Sequence, residues 1–278
     1  MRFNYTPAML ESLNSATKYP SIETYHALGD KGRLTEKAVD FGDDQVTVTE
    51  KVDGTNVRLI FDCSGDLFIG SREELLTHSD DVVRNPALGI VEALLPVLTD
   101  VWRRPDVKVP EHIFVIYVEL FGHRQTPAWK QYGDGTVPMW RMFDACTVPE
   151  DVLEWPKARV AGWRDGGGQS FLDEFQLKHL AVSTGIHRTP RIAFATTPGD
   201  LPGWFGTDLP KDVQGMYDFM LRLGDRTRIV SRGSGGVQGK SEGFVIRNAD
   251  RTRIAKARFE DYERTLRPAK QPKAHASV

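Results

Sequence analysis

The sequence is poor in cysteine. Its 278 residues hold two, Cys63 and Cys146, too few for a disulfide framework or a cysteine-rich zinc site. A long hydrophobic run is also lacking: the longest mostly apolar stretch, Ile113 to Leu120, falls far short of the ~20 residues a membrane-spanning helix needs. The N-terminal segment has no apolar h-region, so the sequence reads as a cytoplasmic protein with reduced thiols and no membrane association. No internal repeat, heptad run or separating low-complexity linker is visible. His112, His123, His179 and His187 lack the i, i+4 spacing of a metal-binding helix, which removes a zinc role. What is present, 40% hydrophobic and 27% charged residues, suffices for a folded core.

Net charge is also nearly absent, −2 at pH 7, but the balance changes along the chain. Residues 222–278 carry 14 Lys+Arg against 6 Asp+Glu, and residues 1–221 carry 22 against 32. Such a basic segment suits a polyanion track, and a solvated charged face would look the same.

Hydrophobic patterning predicts a three-stranded meander from Gln45 to Ile69, with turns at Asp53-Gly54 and Ser64-Gly65-Asp66. Helical spacing runs over Asp81–Trp102, interrupted by Pro86 and Pro96, and again over Phe171–Thr184 and Pro210–Leu223. Ile113–Leu120 reads as a strand buried on both faces. Strands and helices mix without a βαβ rhythm, so the expected class is α+β with a largely antiparallel sheet.

Four segments carry candidate chemistry. Lys51-Val52-Asp53-Gly54-Thr55-Asn56 sets a lysine before a tight turn whose glycine permits close approach; by itself it also fits an ordinary hairpin. Alternation along Ile113–Leu120 puts Glu119 on one face with Ile113, Val115 and Tyr117, either delivering a carboxylate to the end of a buried element or marking where the strand meets solvent. Glu242-Gly243-Phe244-Val245-Ile246-Arg247 and Arg253-Ile254-Ala255-Lys256-Ala257-Arg258 form the last two. A hairpin centred near Asp250 would oppose Glu242 to Arg258 and Phe244 to Lys256, with all four on one face. The glycine-rich stretch 232–240 reads as a flexible loop rather than a phosphate cradle, having no strand-to-helix context.

The order of these strings, with Gly70-Ser71-Arg72 between the first two, resembles the covalent nucleotidyltransferase superfamily of polynucleotide ligases and capping enzymes. The resemblance runs from about Tyr19 to Arg258. It is nearest to ATP-dependent RNA ligases of the phage T4 RNA ligase 2 and RNA-editing ligase type, through Asn56 and the Lys18–Glu23 opening. It implies an ATP-grasp-like nucleotidyltransferase domain, antiparallel sheets flanked by helices, over residues 1–266, followed by a disordered basic tail over 267–278. It further implies ATP and Mg²⁺ or Mn²⁺ as cofactors and Lys51 as the nucleophile. Lys256 and Arg258 are implied as catalytic cations that meet the phosphate oxygens, with Lys256, Glu50, Asn56, Arg72, Glu119 and Phe143 as nucleotide-binding residues. Phe143 would stack on adenine, and Glu242 with Glu119 would hold metal. Arg258 stands where many members have lysine, and no separate C-terminal domain is expected, which leaves room for a protein partner to replace it.

The residue types suit that chemistry. An amine with a pKa near ~10.4 is roughly 0.1% neutral near pH 7.4, so a nucleophilic lysine calls for burial, a nearby cation or a metal. The expected activity joins RNA ends, free or in a nicked duplex, a 5′-phosphate to a 3′-hydroxyl, through a lysyl-AMP intermediate. The alternatives are a DNA ligase, a GTP-dependent capping guanylyltransferase, or a non-catalytic nucleic-acid end-binding subunit.

Overall fold

The computed structural model describes residues 5–42, 44–78, 81–82, 89–133, 137–195, 209–229 and 239–267. Among these lie six α-helices and fourteen strands. In chain order the first half comprises α1 (Pro7–Ala16), β1 (Glu23–Thr24), β2 (His26–Leu28), β3 (Leu34–Ala38), β4 (Val46–Lys51), β5 (Thr55–Phe61), β6 (Leu67–Ser71), β7 (Leu75–His78), β8 (Asp81–Val82) and α2 (Ile90–Trp102). The second half comprises β9 (His112–Phe121), β10 (Met139–Pro149), α3 (Lys157–Asp165), β11 (Ser170–Phe171), α4 (Glu174–Thr184), β12 (Arg191–Ala195), α5 (Val213–Leu223), β13 (Gly243–Asn248), β14 (Ile254–Arg258) and α6 (Phe259–Leu266).

Two sheets dominate. One has the order β1-β14-β13-β4-β12, the other β11-β10-β9-β5-β6-β7-β8. Every pairing is antiparallel except β1 with β14, so the expected α+β class with largely antiparallel sheets is the observed one. The apolar strand β9 lies inside the larger sheet. Phe114, Ile116, Val118 and Leu120 pack towards α2 and α4, and Ile113, Val115 and Tyr117 join a second core with α1 and α3. Burial of both faces is why its sequence reads as a continuous run.

Several expectations change. The meander is broken, because β4 pairs with β13 and β12 whereas β5 pairs with β6 and β9. Local alternation marks strands but does not say which sheet each joins. The helix expected from Asp81 starts at Ile90, after the short strand β8, and keeps Pro96 inside it; Pro86 lies outside the described residues. The third is the hairpin register. Gly243 faces Arg258, Phe244 faces Ala257 and Val245 faces Lys256, one residue off the expectation. Asn248 and Arg253 close a four-residue turn instead of an odd one, with Arg251 at φ +66. A one-residue slip exchanges the faces. Phe244 and Ile246, with Ala255 and Ala257, enter the core against α5 and α6, and Lys256 and Arg258 face the other way with Val245 and Arg247.

The helix starting at Glu174 and the one starting at Val213 are shorter at their N-termini than their patterns suggest. Each begins at an Asp cap: Asp173 accepts from Gln176 N in a reciprocal capping box, and Asp212 accepts from Gly215 N. No helix among the described residues is long and apolar enough to cross a membrane. The tail after Arg267 and most of the glycine-rich stretch lie outside the described residues.

Candidate active site

The chain changes sheets at Val52-Asp53-Gly54. That step places Lys51, the last residue of β4, beside the start of β5. It needs glycine at 54, where a Cβ would stand 2.4 Å from Leu120 O and 2.9 Å from Glu119 Cγ. Gly243 is likewise required: its φ is +155 and a Cβ would meet Ala257 O at 2.0 Å. Both glycines serve approach of backbone to backbone. Around this crossing opens a cavity of about 510 Å³ lined by residues of both large sheets and the Tyr19–Ile22 segment. Lys51, Glu50, Asn56, Arg72, Glu119, Phe143, Glu242, Lys256 and Arg258, the nine positions singled out in the sequence, all border it.

One end of the cavity gathers charge. Lys51 Nζ lies 2.5 Å from Glu242 Oε2. The Glu119 carboxyl is pushed up to about 8, chiefly by burial and further by Glu242 and Asp53, against the pull of Lys51 and the Gly54 amide. Glu242 is raised for the same leading reason, opposed by Lys51 and Arg258. Lys256 is lowered by burial, then by Arg258, Lys51 and Arg72. Acids and bases thus sense one another across a shared space, each partly stripped of water. Among the described residues no cluster of three or more His, Cys, Asp or Glu side chains is close enough to form a metal site by itself.

The other end is aromatic. Phe143 is the extra residue of a bulge in β10, between Met142 opposite Val118 and Asp144 opposite Tyr117, and such bulges re-aim side chains. Its ring meets Tyr19 edge-on at 5.0 Å. Beneath it runs a buried ionic network. Asp144 takes Arg251 Nε at 2.8 Å, Tyr19 OH at 2.8 Å and Arg247 at 3.7 Å. Arg247 also pairs with Glu174, which Arg188 binds at 2.9 Å.

Individual positions differ in what they offer. Glu50 borders the cavity but alternates with Lys51 along β4, and its carboxylate accepts from Arg228 N at 2.8 Å, so its side chain does not stand with Lys51. Asn56 is opposite Glu119 in register, and its buried Oδ1 has no hydrogen-bond partner among the described residues. Arg72 stands on the rim with a side chain 71% exposed. Tyr19, Asp53, Thr189, Val245 and Arg247 also line the cavity and were missed. Tyr19, Asp53, Val245 and Arg247 lie within the candidate segments, and the slipped register hid Arg247 and Val245; nothing local marks Thr189.

The fold and the cavity define an α+β domain with a lysine held among paired acids and bases at a sheet crossing. Residues 44–259 match the RNA ligase family, and the chain belongs to it. No curated protein matches it in sequence. Among solved structures it is similar to a Naegleria gruberi RNA ligase mutant with ATP and Mn, with 12% identity and a TM-score of 0.50, over 89% of this chain and 62% of that one. The Naegleria gruberi ligase with PPi gives 11% identity and 0.48, over 89% and 64%. The first of these likenesses shows the fold, and the chain spans under two thirds of that ligase's length.

Proposed function

We propose that the chain is an ATP-dependent RNA ligase that transfers AMP through Lys51. The observation that carries this reading is the placement of Lys51 Nζ 2.5 Å from Glu242 in a cavity it shares with Glu119, Lys256 and Arg258. The Nζ lone pair forms a bond to the α-phosphorus of ATP, the bond to the bridging oxygen breaks and pyrophosphate leaves. Glu242 Oε2 is the nearest acceptor for the proton the amine sheds, and its raised pKa makes it a better one. Lys256 and Arg258 offset charge on the phosphate oxygens. In the second step an oxygen of an RNA 5′-phosphate attacks the same phosphorus, the nitrogen–phosphorus bond breaks with its electron pair left on Lys51 Nζ, and the nitrogen regains a proton. In the third a 3′-hydroxyl oxygen bonds to the 5′-phosphorus, AMP leaves with the electron pair and the hydroxyl proton passes to solvent.

The residues fit a divalent metal. Glu119 and Glu242 border one cavity, and Glu119, raised to about 8 chiefly by burial and further by Glu242 and Asp53, would be relieved by a cation held by one or two carboxylates plus phosphate oxygens and water. Bound there, a Mg²⁺ or Mn²⁺ ion supplies charge neutralisation at the phosphates. Phe143 and Tyr19 suit a base, and Asn56 Oδ1 suits a hydroxyl donor. RNA ends, free or nicked, are the substrate, and the protein partner and the cytoplasmic setting belong to the same reading.

Protein incubated with α-labelled ATP and Mg²⁺ is expected to carry an acid-labile label that Lys51→Ala abolishes. An unlabelled wild type, or a labelled Lys51→Ala protein, ends the proposal; labelling by GTP in preference would turn it to a capping enzyme.

A further inference from the structure

Arg258 ends β14 and is held by a residue that neither the sequence motifs nor the family match reaches. Its Nε donates to Asp261 Oδ2 at 2.7 Å and its Nη2 to Asp261 Oδ1 at 2.9 Å. Two parallel bonds of this kind need a planar fork, which arginine has and lysine lacks. Asp261 is itself fixed. It is 1% exposed, sits in the first turn of α6 where the helix dipole favours an anion, and also takes Arg264, whose guanidinium is anchored on Gly32 O at 2.9 Å. The helix is tied down again by Tyr262, whose hydroxyl bonds His26 Nδ1 at 2.8 Å, and Phe259 N donates to Glu242 O at 3.0 Å. The fork therefore stands on a rigid base, with no bond of Nη1 among the described residues and the side chain on the cavity wall beside Lys256.

We propose that Asp261 is a positioning residue that aims the Arg258 guanidinium at a phosphate of the bound nucleotide, and that this clamp is why the second base of the last motif is arginine. The inference rests on the nucleotidyl-transfer reading. Asp261 lies in α6, two residues past the matched segment, 44–259.

The test compares wild type, Asp261→Asn, Arg258→Lys and the double variant in single-turnover labelling with ATP, and in ATP binding by calorimetry. Each single variant is expected to weaken labelling about tenfold or more, as misplacing a catalytic group does, and the double variant to be no worse than either. Thermal midpoints within a few degrees of wild type, together with these losses, separate aiming from folding. Independent, multiplying losses, or Asp261→Asn labelling like wild type, overturn the proposal. If Asp261→Asn does not fold, Arg258→Lys decides: full labelling overturns, a tenfold loss supports. If the wild type forms no adduct, the ligase reading fails instead, and the clamp is judged on calorimetry, where weaker ATP binding by Asp261→Asn supports it and unchanged binding overturns it.

Discussion

Glu119 shows how a single residue records the state of the site. Its carboxyl, ordinarily near 4.5, is pushed up to about 8 by burial and by Glu242 and Asp53. A carboxyl whose pKa is higher in the fold than in the unfolded chain contributes stability that is whole below about 4.5 and is lost as pH rises to about 8. Glu119→Gln removes that titration. The variant's thermal midpoint is expected to fall less than the wild type's between pH 5 and pH 8 in the absence of nucleotide and metal, and parallel curves would refute the assignment. At this scale the sequence was informative. Alternation placed Glu119 on a face with Tyr117, and Asp-Gly marked a turn. What it lacked was the partner of Gly54, because Leu120 is 66 residues away along the chain and no local pattern names it.

At the scale of elements, legibility followed burial. β9 could be read because both its faces are covered, and α4 and α5 could be read from their apolar spacing, although spacing alone began each of them ahead of the Asp173 and Asp212 caps. The β13–β14 hairpin could not be registered, since its turn length, four residues and not an odd number, is set by Arg251 in the left-handed region and by Asn248 taking Arg253 N at 2.8 Å. The corrected register points Arg247 into the buried network with Glu174 and Asp144, linking β13 to α4 and β10. Breaking one member of such a network leaves uncompensated buried charge. Arg247→Met is expected to destabilise the protein by about 3 kcal/mol in urea unfolding. A loss below 1 kcal/mol would mean that Arg188 and Arg251 alone satisfy the two acids.

Across the whole molecule, part of the basic surplus near the end of the chain is drawn into the fold. Among the described residues after 222, Arg247 and Arg251 pair with the buried Asp144, and Arg258 and Arg264 pair with Asp261. The first pair ties β13 and the turn after it to β10, and the second holds the junction of β14 and α6. Arg58 makes the same point from the other end of the chain. It is fully buried, and burial lowers its pKa to about 10. Its guanidinium donates to Asn14 O, Asn14 Oδ1, Thr17 Oγ1 and Ser71 O, each at 2.8 Å. It fills the space a side chain at Gly70 would need, 2.8 Å from where a Cβ would be. One side chain thus docks α1, and with it the segment leading to Tyr19, against the end of β6 from which Arg72 projects. Arg58→Met keeps the bulk and removes the donors, leaving acceptors from two elements buried without partners. The expected cost is about 3 kcal/mol in urea, accompanied by early proteolysis near residues 14–19 as α1 detaches. A variant that loses stability yet keeps that segment protected would show that the apolar contacts of Leu13 and Ala16, and not the guanidinium, hold α1 in place.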